Sequence, residues 1–433
     1  MNSKKNYPVP AWVKEAIFYQ IFPDRFAKSE KHKAPGTHQP WGNAPTENNI
    51  FGGNLRGIEE RLDYIADLGF NAIYLCPIFK SNSNHRYHTY DYFAIDPILG
   101  TEEDFDSLVK ACRKKKIRLI LDGVFNHCSR GFFEFNSLLE QGQESPYIDW
   151  FVVDSFPICA YDAKPNYRCW WNLPALPKFN TNNPEVREML FSVAEYWSKK
   201  GIDGWRLDVP NEINDDSFWQ EFRARVKKIN PEAYIVGEIW DPPSRWLQGD
   251  QFDGVMNYPL RRQLLDFLLK DSNKDNHAFC NLLNESFLSN SFGVPMNLMG
   301  SHDTRRLVSQ EGINKNSLEL LWTLLFFLPG CISVYYGDEI ALEGGKDPDN
   351  RRCFPWDSLK NLQKSSFSLF FKKLLLMRLQ EPVLKEGSFL AIPQEDGFII
   401  RRQQNKTTME FRVFTSKIGA VDAFTLTKNA LSY

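Results

Sequence analysis

Eight short apolar runs, each followed by an amphipathic stretch, set the rhythm of this chain and constrain its fold most tightly. The runs lie at 17–22, 72–77, 118–125, 204–209, 234–239, 255–258, 296–300 and 331–336. Between them apolar residues recur at three- and four-residue spacing, as in Ile58, Leu62, Ile65 and Leu68, or Phe105, Leu108, Val109 and Cys112, which marks helices packed by one face. Thr101 with Asp104 reads as a capping box in which Asp stands for the usual Glu or Gln. Asn183-Pro184-Glu185 reads as an N-cap, a proline at the first helical position and an acid in the first turn. Gly69 and Gly201 stand where helices should end. Strand and helix alternating eight times predict an α/β fold, the (β/α)8 TIM barrel, with its active site at the C-terminal ends of the strands.

Two departures from the rhythm predict further parts. Residues 128–180 carry Trp150, Tyr161, Trp170, Trp171, several prolines and little helical periodicity, so an ordered subdomain is expected to be inserted after the third strand. From about residue 384 the pattern alternates as strands do, so residues 384–433 are expected to form a short C-terminal β domain. Residues 10–127 and 181–380 then make the barrel.

The chemistry gathers in four segments: Asp122 to His127 (DGVFNH), Gly204 to Glu212 (GWRLDVPNE), Gly237 to Trp240 (GEIW) and Gly300 to Thr304 (GSHDT). Each begins as an apolar strand and ends in a carboxylate or imidazole where the strand should stop. Cleaving a glycosidic bond passes through an oxocarbenium-like state and calls for two carboxyl groups flanking the anomeric carbon, about 5–5.5 Å apart when configuration is retained. Asp208 and Glu238, on adjacent strands, can supply them. Arg206 shares a strand face with Asp208 and is expected to hold it ionised. Glu238 has to start protonated, which requires surroundings that raise its pKa. One such carboxylate alone reads more readily as part of a structural ion network. Asp122, Arg206, Asp208, Glu238, His302 and Asp303 together, all at strand ends, do not.

These segments, in this order and spacing, resemble those of the α-amylase superfamily of glycoside hydrolases, and the resemblance runs from about Ile17 to Trp356. It implies a retaining hydrolase with Asp208 as nucleophile, Glu238 as general acid/base and Asp303 gripping the 2- and 3-hydroxyls. It further implies sugar contacts from Asp122, His127, Arg206 and His302, with His85 as a hydroxyl donor and Tyr87 as a stacking platform. LPKFN at Leu176 to Asn180 is similar to a box of the cyclomaltodextrinase, neopullulanase and maltogenic amylase branch. In that branch Asn211 and Glu212 would line the leaving-group side, and Asp347 and Arg351 the non-reducing side. Trp240, beside Glu238, is a candidate aromatic subsite; Trp150, Trp170, Trp171 and Trp356 either touch sugar or fill gaps.

The substrate class implied is α-1,4-linked glucan: maltooligosaccharides, cyclodextrins or pullulan. A glucanotransferase or an α-1,6-specific glucosidase would use the same carboxylates, and a retired glucan-binding barrel is the alternative from another class. The branch usually opens with an extra β domain that helps build a dimer, whereas here the barrel begins at about Ile17; a monomer or a dimer of another kind is expected. The calcium loop of the branch is replaced by DRFAKSEKHK and by Gly52-Gly53-Asn54, and calcium favours several anionic oxygens, so neither a cofactor nor calcium is expected to be required. The balance of 52 Lys+Arg against 54 Asp+Glu gives no field to draw in nucleic acid or an anionic membrane. With no leader-like segment, no long apolar run and eight scattered cysteines read as reduced thiols, a cytoplasmic protein is expected.

Overall fold

A computed structural model describes residues 8–162, 164–270, 274–288 and 293–430. Residues 1–7, part of the stretch read for a leader, and 431–433, the end of the expected β domain, lie outside the described residues. So do residue 163 of the insert and residues 271–273 and 289–292 of the barrel.

All eight expected strands form: β1 (Ile17–Ile21), β2 (Ala72–Leu75), β3 (Arg118–Gly123), β4 (Gly204–Leu207), β5 (Tyr234–Gly237), β6 (Gly254–Val255), β7 (Met296–Leu298) and β8 (Cys331–Tyr335). They pair in parallel in the spatial order β6-β5-β4-β3-β2-β1-β8-β7. A parallel bridge between Met256 and Met296 joins β6 to β7 and closes the cylinder. β1, β2, β4, β5 and β8 are buried at every position, because the strands of such a barrel have packed side chains within and helices without. The register sets Asp122 opposite Arg206, so their side chains leave the sheet at one level.

The caps behave as expected. Thr101 accepts from Asp104 N and Asp104 from Thr101 N, Asn183 accepts from Glu185 N, and Gly69 and Gly201 adopt positive φ of 106° and 96°. Several strands stop short of their expected ends. β4 stops at Leu207 because Val209 takes a left-handed φ of 35°, and the expected strand at 255–258 ends early because Asn257 caps a helix, Tyr258–Leu265, by accepting from Leu260 N.

The insert is more helical than its sequence promised, with a helix at Phe133–Gln141. It is stitched to the barrel by antiparallel bridges such as His127 with Lys178. The C-terminal domain is a four-stranded antiparallel sheet: β9 (Ser388–Gln394), β10 (Gly397–Gln404), β11 (Thr407–Phe414) and β12 (Phe424–Ala430). A short helix, Pro382–Glu386, occupies the start of the span expected to be strand. Among the described residues no helix is long and apolar enough to cross a membrane.

Candidate active site

Arg206 is the hub of the strand ends. Fully buried on β4, its Nη1 lies 2.8 Å from Asp122 Oδ1 and 3.0 Å from Asp208 Oδ1, while Nη2 lies 2.8 Å from Glu238 Oε2. The i, i+2 relation of Arg206 and Asp208 thus brings them together as expected, but the same guanidinium also holds Asp122 and Glu238. Glu238 is fixed further by Val209 N at 3.1 Å and Trp240 Nε1 at 3.1 Å. The strained backbone of Val209 is what aims that amide. Trp240 in turn lies flat on Tyr258, centroids 3.7 Å apart, and is 40% exposed, leaving its outer face open.

Opposite them stands a second group. Asp303 Oδ2 lies 3.2 Å from His302 Nε2, and Arg351 Nη2 lies 3.5 Å from Asp303 Oδ1 and 3.0 Å from Asp347 Oδ2. Gln20 Nε2 meets His302 Nδ1 at 2.9 Å, and Tyr87 OH lies 2.6 Å from His302 Nε2 and 2.8 Å from Asp122 Oδ2. With Gln20 donating to Nδ1, His302 carries its proton on Nε2 and donates to Tyr87 OH. Tyr87 donates onward to Asp122. Tyr74 OH reaches the same Asp122 oxygen at 2.5 Å.

Burial pushes Asp122, Asp208, Glu238 and Asp303 above the usual carboxylate range, opposed by Arg206 and, at Asp303, first by Arg351. The expectation that Arg206 holds Asp208 ionised is therefore corrected: the guanidinium pulls its pKa down, but burial and the neighbouring carboxylates outweigh that pull, because one cation is shared among three carboxylates that titrate as a group. Burial also keeps the imidazoles neutral: His302 is held well below 6.5 and His127 is lowered to about 3.

The remaining predicted residues fall around this centre. His127 is buried, stacks on Trp170, and among the described residues its Nε2 has no hydrogen-bond partner. Trp170 lies under Trp171, which is 76% exposed, so three stacked rings lead from the site to solvent. His85 Nδ1 accepts from Tyr87 N, which leaves Nε2 for a ligand. Glu212 is held by Lys178 Nζ at 3.0 Å, tying the insert to the segment after Asp208, while Asn211 is exposed beside it. Trp150 and Trp356 fill gaps: Trp150 donates to Glu185, and Trp356 is enclosed by Phe26, Tyr64 and Phe354 and donates to Phe26 O. Gln20, Tyr74, Tyr258 and Lys178 escaped the sequence reading. A glutamine inside the apolar run IFYQI was the signal for Gln20, since a polar side chain there must find a buried partner.

The segment suspected for calcium is otherwise engaged. Asp24 accepts from Phe51 N and Gly52 N and pairs with Arg25 at 2.7 Å. Asn54 turns its amide nitrogen toward Ser29 O and Gly52 O, presenting N–H groups where a cation would need oxygens.

The model of the α-amylase catalytic domain matches residues 20–377. The chain belongs to the α-amylase family. It is a glycoside hydrolase of that family, similar over most of its length to enzymes of the cyclomaltodextrinase and neopullulanase type. A cyclomaltodextrinase from a Bacillus species is 44% identical over 89% of this chain and 69% of the relative. Neopullulanase 2 of Thermoactinomyces vulgaris is 42% identical over 88% of this chain and 66% of the relative. Among solved structures, the ligand-free cyclic α-maltosyl-(1→6)-maltose hydrolase of Arthrobacter globiformis superposes with a TM-score of 0.89 at 39% identity, covering 98% of this chain and all of the other.

Proposed function

We propose that this enzyme hydrolyses α-1,4-glucosidic bonds of maltooligosaccharides, cyclodextrins or pullulan with retention of configuration. The observation that carries the reading is Arg206 spanning Asp208 and Glu238 at the ends of neighbouring strands, with Asp303 and Arg351 opposite. Asp208 attacks the anomeric carbon as Glu238 gives its proton to the departing glycosidic oxygen, which forms a glycosyl ester and frees the leaving sugar. Glu238, now ionised, takes a proton from water, and the hydroxide displaces Asp208 to give the hemiacetal in its original configuration. Arg206 offsets the charge of whichever carboxylate is ionised. Asp303, Arg351 and the neutral His127 and His302 supply acceptors and donors for the hydroxyls of the same ring; His85, Tyr87 and Asp122 complete its wall. Trp240 would take the leaving-group sugar on its exposed face, with Asn211 and Glu212 beyond it, and Asp347 with Arg351 would bound the other side.

No cofactor is needed in this scheme, and the engaged side chains of Asp24 and Asn54 support function without calcium. An α-1,6 preference is the second reading. It is favoured by the near end-to-end match to a hydrolase of a cyclic glucan containing α-1,6 links and by the likeness to a debranching enzyme of Nostoc punctiforme, TM-score 0.84 at 42% identity. Incubation with maltoheptaose, cyclodextrin and panose-type branched sugars, followed by NMR of the first anomer released, tests both. Initial β-anomer would overturn the retaining mechanism, and the bond cut first decides between the readings.

A further inference from the structure

A second cavity lies outside the cleft, on the seam between the barrel and the insert. Its volume is about 210 Å³, below the roughly 300–1,000 Å³ of drug-sized sites, so it suits a single small ring. Asn82 and His88 come from the excursion after β2; Ser129, Arg130, Asn136 and Tyr161 come from the insert. Arg130 lies over the Tyr161 ring at 4.4 Å and is anchored by Nη1 donating to Ala160 O at 2.6 Å. Tyr161 itself is 78% exposed, an unusual state for a large aromatic ring held in place. Tyr90 forms the floor beneath Gly131, where an added Cβ would meet the Tyr90 ring at 2.4 Å, so only glycine lets the backbone lie this close.

The wall has the chemistry of sugar recognition. Asn82 and Asn136 each bring two amide donors and one acceptor, and Ser129 a hydroxyl that accepts from Gly131 N and can itself donate. Among the described residues no carboxylate lines the cavity. Burial lowers His88 to about 4, so its ring is neutral at working pH. The Tyr161 ring, the Arg130 guanidinium as a fixed donor beside it, and the neutral two-way groups of Asn82, Asn136 and Ser129 match a hexose, whose hydroxyls both donate and accept and whose C–H face stacks on a ring. The cavity is also wired to the cleft: the His88 ring meets His85 edge-on at 4.9 Å, and His85 supports Tyr87.

We propose that this cavity is a second glucosyl-binding site, separate from the cleft, that takes one ring of an α-glucan and holds the insert against the barrel. The proposal rests on the reading of the cleft as an α-glucan site, and the test keeps the two apart. The full-length Glu238→Gln enzyme is loaded with one equivalent per chain of the glucan mimic acarbose, which the tighter cleft takes up, and then titrated with maltose by calorimetry. The expected result is one further maltose per chain, with acarbose still bound. Tyr161→Ala and Asn136→Ala should each weaken that second event about tenfold and leave acarbose affinity unchanged. Both side chains are exposed, so neither change threatens folding. Absence of maltose binding once one equivalent of acarbose fills the cleft, or binding in both variants equal to that of the parent, overturns the cavity as a sugar site and leaves the cleft untouched. Failure of acarbose to bind at all would instead overturn the cleft reading.

Discussion

Arg206 Nη2 lies 2.8 Å from Glu238 Oε2, so the proposed proton donor is paired with a cation in the free enzyme. A paired carboxyl resists protonation, whereas burial and Asp303 favour it. The balance between these terms is what sugar binding must tip.

Asp208→Asn and Glu238→Gln should therefore fail differently. Asp208→Asn removes the attacking oxygen and should lower kcat by about 10⁴-fold or more on every substrate. Glu238→Gln removes only the proton donor, so it should be as severe on maltoheptaose but much milder in the first step with an aryl glycoside whose phenol leaves unaided. Reducing-end release and a stopped-flow burst of phenol measure the two. Equal losses on both substrates in Glu238→Gln would refute the division of roles.

Trp240 offers a finer handle on the same proton. Its Nε1–H bond to Glu238 Oε1 favours the ionised form and lowers the pKa that burial has raised. Trp240→Phe keeps the platform on Tyr258 but loses that bond. The basic limb of kcat/KM, which reports loss of the Glu238 proton in the free enzyme, should move to higher pH. A shift to lower pH would contradict the assignment.

Away from the cleft, Glu339 accepts from Tyr19 OH and Tyr64 OH, each at 2.7 Å, and is fully buried. Burial raises it from 4.5 to about 7, so the folded protein binds this proton more tightly than the unfolded chain does. Its contribution to stability is full below pH 4.5 and fades as pH rises through 7. Asp338, raised by burial to about 6, adds to the same slope. The Tm of Glu339→Gln should fall less than that of wild type between pH 5 and pH 8, measured by calorimetry at about one-half-unit steps.

Dialysis against EDTA should leave both Tm and turnover unchanged, since Asp24 and Asn54 already spend their oxygens on backbone amides. A drop in either that calcium restores would show that oxygens elsewhere bind the ion.

Much of this was legible in the sequence because barrel strands buried on both faces read as apolar runs, and because a carboxylate ending such a run has few places to go but the cleft. Asp208, Glu238, Asp303 and Arg206 were found that way. What stayed hidden depends on distance along the chain. Gln20 and His302 are 282 residues apart, and that their rings of partners meet follows only from β1 lying beside β8 and near β7. Trp356 was equally opaque: its neighbour Asp347 faces the site, but the ring turns back onto Phe26 and Tyr64, which no local pattern encodes. The helix at Phe133–Gln141 was missed since its apolar residues are too few to set a period.

Two buried arginines with carbonyl partners brace the chain that follows the helix Lys315–Phe327: Arg378 reaches it from the last barrel helix and Arg402 from the C-terminal sheet. Arg378 donates to Phe326 O, Leu328 O and Gly330 O at 3.0, 3.2 and 2.6 Å, and Arg402 to Phe327 O, Gly387 O and Ser388 O at 2.8, 2.9 and 3.2 Å. Burial lowers Arg378 to about 10 and Arg402 to about 9, which is the cost of holding a cation on carbonyl dipoles alone. The loop between the helix Lys315–Phe327 and β8 has no ladder to satisfy those oxygens, so the guanidinium does it. Arg378→Ala would leave three carbonyls buried and unpaired and should cost roughly 3–5 kcal/mol. Arg378→Lys, whose ammonium cannot span them as a planar fork does, should recover only part of this. Urea unfolding of the two variants, followed by tryptophan fluorescence, should rank them wild type, Lys, Ala; an Ala variant within about 1 kcal/mol of wild type would show that water replaces the guanidinium at little cost.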